Sequence, residues 1–511
     1  MSLKSQTFRD KPFRITNSMG HKKVEFCPLA APRVLFYSCG PTVYGPLHIG
    51  NARALVVADL FFRWLKHIGY DVNYVRNFTD VDDKIIRRGA EEKKDPAAVA
   101  QFYLEYAQED MRLLDLAIPT KECRVTESMD DIIAMVGALQ KNGYAYDVNG
   151  EVLYSVEKKA GYGKLSGKNI DDLIAGARVE VAPYKKNPMD FSLWKSHKPG
   201  EPHWESPWGQ GRPGWHIECS AMAKRWLGDT IDLHHGGQDL IFPHHENEIA
   251  QSEGATGKEF CAHWVHNAFL TTGREKMSKS LGNIFEIRKF IETYGAEVLR
   301  YEFVKHHYRT PFDFNEQTLA ETLMELERIY AAKAWAEEAM SAAPIIGADG
   351  SAFTPLGDVS GVWRAVEDEL FNDLNTAGAV SQIFIHVRAL NAAEGKSAGH
   401  AGRKALPSFE RQVAAHGLLL LLSQGAKPLL NVFGEDAAAM LTHIGKVRAT
   451  LHAAQCGGAV LSDADIERLL LERKEARARK DFARGDAIRK ELADAGVQIL
   501  DSSSATTWKR V

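Results

Sequence analysis

The apolar positions of this chain switch between two periods, and the switching sets out its elements. Arg33-Val-Leu-Phe-Tyr-Ser38 is an apolar and aromatic run bounded by Pro32 and Gly40, which predicts a buried strand. Val57, Leu60, Phe61, Trp64, Leu65 and Ile68 then recur at three- and four-residue steps, predicting a helix with one apolar face. Asp71–Thr79 predicts a second strand with Thr79 at its end, and Lys84-Ile-Ile-Arg-Arg88 begins a second helix. Strands alternating with helices predict a parallel α/β sheet, whose ligands sit at the carboxyl ends of the strands. Helical spacing continues to about Leu116 and returns over Met129–Asn142.

The pattern then changes. From about Tyr146 to Lys198, short β-like pieces such as Glu151-Val-Leu-Tyr-Ser-Val156 stand among Gly, Lys and Asp turns, predicting an insertion that splits the fold. Pro188–Trp194 reads as the return to the main domain, and Gly214–Cys219 opens a further helix. From about Asp313 the chain is helical and alanine-rich. Thr318–Met340, Val362–Leu390 and Phe409–Leu422 read as amphipathic helices, joined by Ala342–Gly361 and Ala393–Leu406.

Composition narrows the class. At 511 residues, 45% apolar and 25% charged, the chain has the make-up of an ordinary globular protein of several domains. The net charge of −4 means that a nucleic-acid partner must be met by a local basic patch. No apolar run approaches membrane-spanning length and no signal core opens the chain, so a cytoplasmic protein with no membrane partner is expected. Six cysteines without paired spacing fit a reducing compartment.

Three stretches carry candidate chemistry. Ser38–Arg53, between strand and helix, contains Gly40, Thr42, His48, Gly50 and Asn51. Strand, Gly/Pro-rich turn and helix point a helix N-terminus and backbone N–H groups at a phosphate. The same spacing also fits a plain strand-to-helix crossover. Lys276-Met-Ser-Lys-Ser280 sets Lys276 and Lys279 on a Gly-flanked loop suited to phosphate charge, though short basic loops are common solvated turns. Residues 200–250 hold Gly214-Trp-His-Ile-Glu-Cys219, Asp232-Leu-His-His-Gly-Gly-Gln-Asp239 and Phe242-Pro-His-His-Glu-Asn-Glu-Ile249. Pro243 fits a first helical position, which puts His244 and Glu248 on one face. With Cys39 and Cys219 they make a donor set that zinc accepts, yet on pattern alone His245 and Glu246 are equally eligible.

Together, the His48-Ile-Gly-Asn51 start and the lysine loop resemble the two ATP-binding motifs of class I aminoacyl-tRNA synthetases, with Asn51 where that class normally has a second His. Tyr37–Tyr44, Tyr74–Ile86, Ala175–Val179, Asn187–Phe191, Gly211–Met222, Phe242–Gln251 and Arg274–Asn283 together resemble bacterial cysteinyl-tRNA synthetases over nearly the whole chain. The resemblance implies a Rossmann-like α/β catalytic domain with an insertion, then a helical tRNA-binding bundle and a small C-terminal domain. It implies divisions at 1–120 and 200–270 for the catalytic halves, 121–199 for the insertion and 271–315 for the lysine-loop segment. The bundle would span 316–430 and the anticodon-binding region 431–511. It also implies one zinc on Cys39, Cys219, His244 and Glu248, which recognises the thiol of L-cysteine. Thr79 and Trp215, with Cys39, would line the amino-acid pocket.

ATP with Mg²⁺ is then expected on Gly40, Thr42, His48, Gly50 and Asn51, with Gly236 and Asp239 at the adenosine. His48, Asn51, Lys276 and Lys279 would stabilise charge. No editing segment is expected, because zinc itself would separate cysteine from serine. The acceptor would be tRNA(Cys) and the chain a monomer.

Two rivals remain in view. A relative that transfers cysteine to a small amino sugar would lack the C-terminal tail beyond about residue 430. A non-catalytic RNA-binding paralogue has only Asn51 in its favour. Arg468–Lys490 carries nine Lys/Arg against four Asp/Glu and, with Thr506-Thr-Trp-Lys-Arg510, suits RNA stacking and phosphate contact. By pattern alone the run is equally a solvated helix face, and the bundle equally a scaffold.

Overall fold

The computed structural model describes residues 11–168, 184–272, 275–276, 285–341, 359–393, 408–456, 461–479, 481–501 and 506–510. Its centre is a five-stranded parallel sheet built from β1 (Arg33–Ser38), β2 (Asp71–Phe78), β3 (Lys121–Arg124), β4 (Ile231–Gly237) and β5 (Cys261–Asn267). The spatial order is β5-β4-β1-β2-β3. The strands are apolar because both sheet faces are covered. On β1, Val34 and Phe36 enter one core cluster, while Leu35 and Tyr37 face another. The chain leaves β1 towards β2 on one side and meets β4 on the other, so the topological switch lies between the carboxyl ends of β1 and β4. That crevice is where an open α/β sheet binds ligands.

Helix α1 (Ile49–His67) follows β1, with Ala52, Val56, Leu60, Phe61 and Trp64 buried. Helix α2 (Trp215–Leu227) precedes β4, and α3 (Glu246–Thr256) lies between β4 and β5. Lys121–Arg124, which the sequence set at the start of the insertion, is the edge strand of the parallel sheet. Phe191–Ser196, read as a return to the main domain, instead pairs antiparallel with Glu151–Tyr154 and Gly211–Pro213, in a four-stranded sheet that Ala145–Val148 completes. Its Leu193 and Trp194 share a core cluster with Val152, Tyr154 and Ile217, which is why local pattern could not assign it.

The helical region differs in one respect from its periodicity. Val362–Leu390, expected as one helix, is two: Val359–Phe371 and Thr376–Ala393. Asp373 and Leu374 adopt positive φ between them (67° and 46°). The buried Asp373 carboxylate repays that break by accepting from Thr16 N at 2.7 Å, Thr16 Oγ1 at 2.6 Å, Tyr308 OH at 2.7 Å and Arg309 Nε at 2.8 Å. A tertiary hub overrides helix propensity there. At the C-terminus, helices Asp463–Ala478 and Phe482–Asp494 and the hairpin Val497–Asp501/Thr506–Arg510 close a small separate core around Leu469, Ile488 and Val497. Trp508 packs on that core, its indole N–H donating to Glu467 Oε1 at 2.5 Å. Among the described residues no helix is long and apolar enough to cross a membrane.

Candidate active site

A cavity of about 320 Å³ opens at the switch point. Its walls come from the turn after β1, the start of α1, the end of β4 and the segment after β5. Glycine is required at two places. A Cβ on Gly40 would lie 1.6 Å from Asn77 O, so the turn after β1 is pressed onto β2. A Cβ on Gly50 would lie 2.9 Å from His48 Nδ1, which is where the ring must go to cap α1.

That cap is reciprocal. Asn51 N–H donates to His48 Nδ1 at 3.2 Å and His48 N–H donates to Asn51 Oδ1 at 3.1 Å. With Nδ1 accepting, a neutral His48 carries its proton on Nε2; with Oδ1 accepting, the other polar atom of Asn51 is the donor Nδ2. Both side chains line the cavity. The sequence points backbone N–H groups at a phosphate here, but the structure uses two of them internally: Ile49 N–H donates to Phe285 O at 2.9 Å, and Asn51 N–H is in the cap. The positive end of the helix dipole still faces this part of the cavity wall.

Cys39 and Trp215 line the same cavity. Cys39 N–H continues the β1–β4 ladder to His235 O at 3.1 Å, and this sets its Sγ beside the helices. Cys39 Sγ lies 3.8 Å from Cys219 Sγ, 3.7 Å from His244 Nε2 and 3.5 Å from Glu248 Oε1, with His244 Nε2 3.0 Å from Glu248 Oε1. Helix α3 starts at Glu246, later than the Pro243 expectation, after a π-type turn over Ile241–His245; His244 still reaches Glu248 across one turn. A second donor group overlaps the first: Cys39, His234, His245 and Glu248.

The surroundings of the first group orient it. His216 Nδ1 lies 2.9 Å from His244 Nδ1. Burial holds His216 well below its ordinary pKa, so it accepts the His244 Nδ1 proton and turns His244 Nε2 towards the cluster. Trp215 stacks on the His244 ring at 4.4 Å. His234 Nε2 holds the other Glu248 oxygen, Oε2, at 2.9 Å. Burial opposes charge on Glu248, yet His234 and His244 outweigh it and bring the carboxyl down to about 2. His244 is raised to about 10: burial works against this, and Glu248 and Cys219 overcome it. Cys219 is lowered to about 6, led by its bond from Cys39 and helped by His244, whereas burial pushes Cys39 well up. The group thus presents one thiolate, one carboxylate and, between them, a His244 ring held in its protonated form by both.

The remaining expected residues divide. Thr42 and Asp239 line the cavity. Gly236 does not; a Cβ there would meet the His245 ring at 2.6 Å, and it is Gly237 that faces the space. Thr79 is buried behind the wall, where its hydroxyl donates to Glu218 Oε2 at 2.9 Å. Lys276 falls on a short strand paired with Thr271, while Lys279 and the Ala175–Val179 stretch lie outside the described residues. Sequence reasoning passed over Glu218, His216 and His234, although each sits inside a stretch it singled out. It also missed Lys84, a cation on the cavity wall 5.3 Å from the Tyr44 ring centroid.

Comparison with known proteins adds the following. The family described as "tRNA synthetases class I (C) catalytic domain" matches residues 25–324, and "Cysteinyl-tRNA ligase anticodon binding domain" matches 462–508. A cysteine–tRNA ligase of Geobacter metallireducens is 44% identical over 502 residues, 97% of this chain and 99% of that protein. Its counterparts in Syntrophotalea carbinolica and Bdellovibrio bacteriovorus are 45% and 43% identical over the same shares. A solved Mycobacterium tuberculosis methionyl-tRNA synthetase shares the fold, with a TM-score of 0.58 at 14% identity, covering 80% of this chain and 93% of that one.

Proposed function

The chain belongs to the cysteine–tRNA ligase family of class I aminoacyl-tRNA synthetases, and from that premise we propose how its cavity joins L-cysteine to tRNA(Cys). In the first step the cysteine carboxylate attacks the α-phosphorus of Mg²⁺-bound ATP, and pyrophosphate leaves. A carboxylate is already ionised, so no general base is needed and catalysis is positioning plus charge stabilisation. In the second step a 3′-terminal ribose hydroxyl of tRNA(Cys) attacks the adenylate carbonyl and AMP leaves. The match of residues 462–508 to an anticodon-binding domain supports tRNA, not an amino sugar, as acceptor. The working unit is a cytoplasmic monomer.

The observation that carries this reading is a four-donor cluster whose Cys39 lines the same cavity as the start of α1. The cluster suits zinc. Tetrahedral bonds of about 2.3 Å to sulfur and 2.0 Å to nitrogen or oxygen put ligand atoms about 3.3–3.8 Å apart, against 3.8, 3.7, 3.5 and 3.0 Å for the pairs measured. Cys39, Cys219, His244 and Glu248 would hold the ion, in preference to the overlapping group, because that set supplies two cysteine sulfurs where the other supplies one. Bound there, zinc supplies a soft centre that favours a thiolate over a hydroxyl and lowers a thiol's pKa.

The protein's own residues do the rest. Trp215 walls the cysteine end, and Thr79 and Glu218 buttress it from behind. His48 Nε2 and Asn51 Nδ2 meet the phosphates at the positive end of α1, and Lys276 and Lys279 add charge as pyrophosphate departs. Gly40, Thr42 and Gly50 let the nucleotide approach the backbone, and Asp239 beside Gly237 takes the adenosine.

Cysteine-dependent ATP–pyrophosphate exchange tests the reading, with serine as competitor and zinc quantified. About one zinc per chain, exchange with cysteine and loss of both in Cys219→Ser are expected. A folded protein without exchange refutes activation and favours a non-catalytic paralogue. An active enzyme without zinc refutes the account of selectivity.

A further inference from the structure

Arg53 is a deeply buried cation with no carboxylate partner among the described residues. It lies on α1, one turn past the His48 cap, and is 1% exposed. Its partners among the described residues are backbone carbonyls. Nη1 donates to Phe269 O at 2.7 Å, and Nη2 to Thr310 O at 2.6 Å and Tyr308 O at 3.2 Å, with His307 O at 3.5 Å. The guanidinium also lies 4.7 Å from the Phe312 ring centroid. Burial lowers its pKa from 12.5 to about 10. A methionine or leucine would fill the same space without burying a charge, so the cation is retained for what its fork holds.

What it holds is one wall of the cavity. Phe269 and Leu270 line the same space as Asn51 and Ala54. Leu270–Thr272 forms a three-stranded sheet with Phe312–Asp313 on one side and Glu275–Lys276 on the other. Arg53 therefore ties together the residue before this strand, Phe269, the 307–310 turn and, on the neighbouring strand, Phe312. None of its bonds goes to the turn after β1, to α2 or to α3, which carry Cys39, Cys219 and Glu248.

We propose that Arg53 is a positioning residue for the ATP end of the site: it fixes the sheet bearing Leu270 and Lys276 against the His48–Asn51 helix start. This rests on the activation reading above. It predicts a lesion that separates the two substrates. Lysine keeps the charge but offers a point in place of a planar fork, so it cannot hold carbonyls from two segments together.

The experiment measures KM for ATP and for cysteine in pyrophosphate exchange, with zinc content, melting temperature and calorimetric ATP affinity, for wild type, Arg53→Lys, Arg53→Met and Phe312→Leu. Arg53→Lys should raise the ATP KM and weaken ATP binding about tenfold or more, the equivalent of one charge-assisted hydrogen bond. Its cysteine KM should stay within about twofold, with zinc unchanged. Phe312→Leu keeps the fork and should shift the same parameter in the same direction by less, so a misfolded Arg53→Met does not end the test. A lowered melting temperature with both KM values at wild-type level shows a merely structural arginine and overturns the proposal, as do equal shifts for both substrates. Wild type that binds ATP without exchanging refutes the activation reading alone, and Arg53 is then judged on ATP affinity.

Discussion

Gly40→Ala is the sharpest single perturbation that the geometry allows. The new Cβ would lie 1.6 Å from the Asn77 carbonyl oxygen, where ordinary contact begins near 3.4 Å, so backbone must part from backbone by about 1.8 Å. Asn77 is on β2, and its side chain also accepts the Gly40 N–H at 2.9 Å, so neither side yields cheaply. The residue that moves with Gly40 is Cys39. Its Sγ is set 3.5–3.8 Å from three other donors, and metal ligands tolerate displacements of only about 0.2 Å. Overpacking of this kind costs about 1–3 kcal/mol of stability, and a misplacement of about 1 Å costs about 100-fold in rate. The expected result is a folded protein with zinc affinity reduced at least about tenfold and exchange reduced about 100-fold.

The assay is zinc content after dialysis against limiting metal, followed by cysteine-dependent exchange. Gly137→Ala is the control: it sits within the helix Met129–Lys141, with nothing within 4 Å of its added Cβ, and should be neutral or stabilising. Gly40→Ala with wild-type zinc and exchange within about threefold of wild type would refute the claim that this turn sets the donor geometry.

Other expectations follow from buried polar groups. Asp110, bonded by Arg288 Nε at 3.1 Å, is pushed up to about 6 by burial, against the pull of Arg288. Its folded pKa is above the ordinary 3.8, so ionisation costs folded stability: that penalty is absent below 3.8 and grows as pH rises through 6. Melting temperature against pH should therefore lose part of its slope between about 4 and 6 in Asp110→Asn, and an unchanged slope counts against the assignment. Asp373→Asn leaves donors from Thr16, Tyr308 and Arg309 mismatched and should destabilise by about 3 kcal/mol in urea unfolding; less than about 0.5 kcal/mol would show the hub to be redundant. Asn51→Ala removes half of the reciprocal cap and should cost about 1 kcal/mol in the same measurement, with exchange falling because Nδ2 is lost. Exchange at the wild-type rate would remove Asn51 from the phosphate site.

Local order was legible wherever neighbours in sequence are neighbours in space. Arg33–Ser38 announced a buried strand, and the apolar spacing from Val57 to Ile68 announced α1, because period alone decides those elements. The pairing of His244 with Glu248 was legible for the same reason, being one helical turn. What could not be read locally was which residues meet across the chain. Cys39 and Cys219 are 180 positions apart and touch only because β1 and α2 converge at the switch point; before that, resemblance and not spacing selected the donor set. The ring orientation of His244 depends on His216 in another helix, and the role of Glu248 depends on His234 in a strand. The burial of Arg53, the break at Asp373 and the sheet membership of Phe191–Ser196 were likewise decided by partners far along the chain. Periodicity encodes which face of an element is buried; it does not encode what the face is buried against. The sequence by itself determined the elements and the kinds of donor available, and tertiary packing decided which donors face one another.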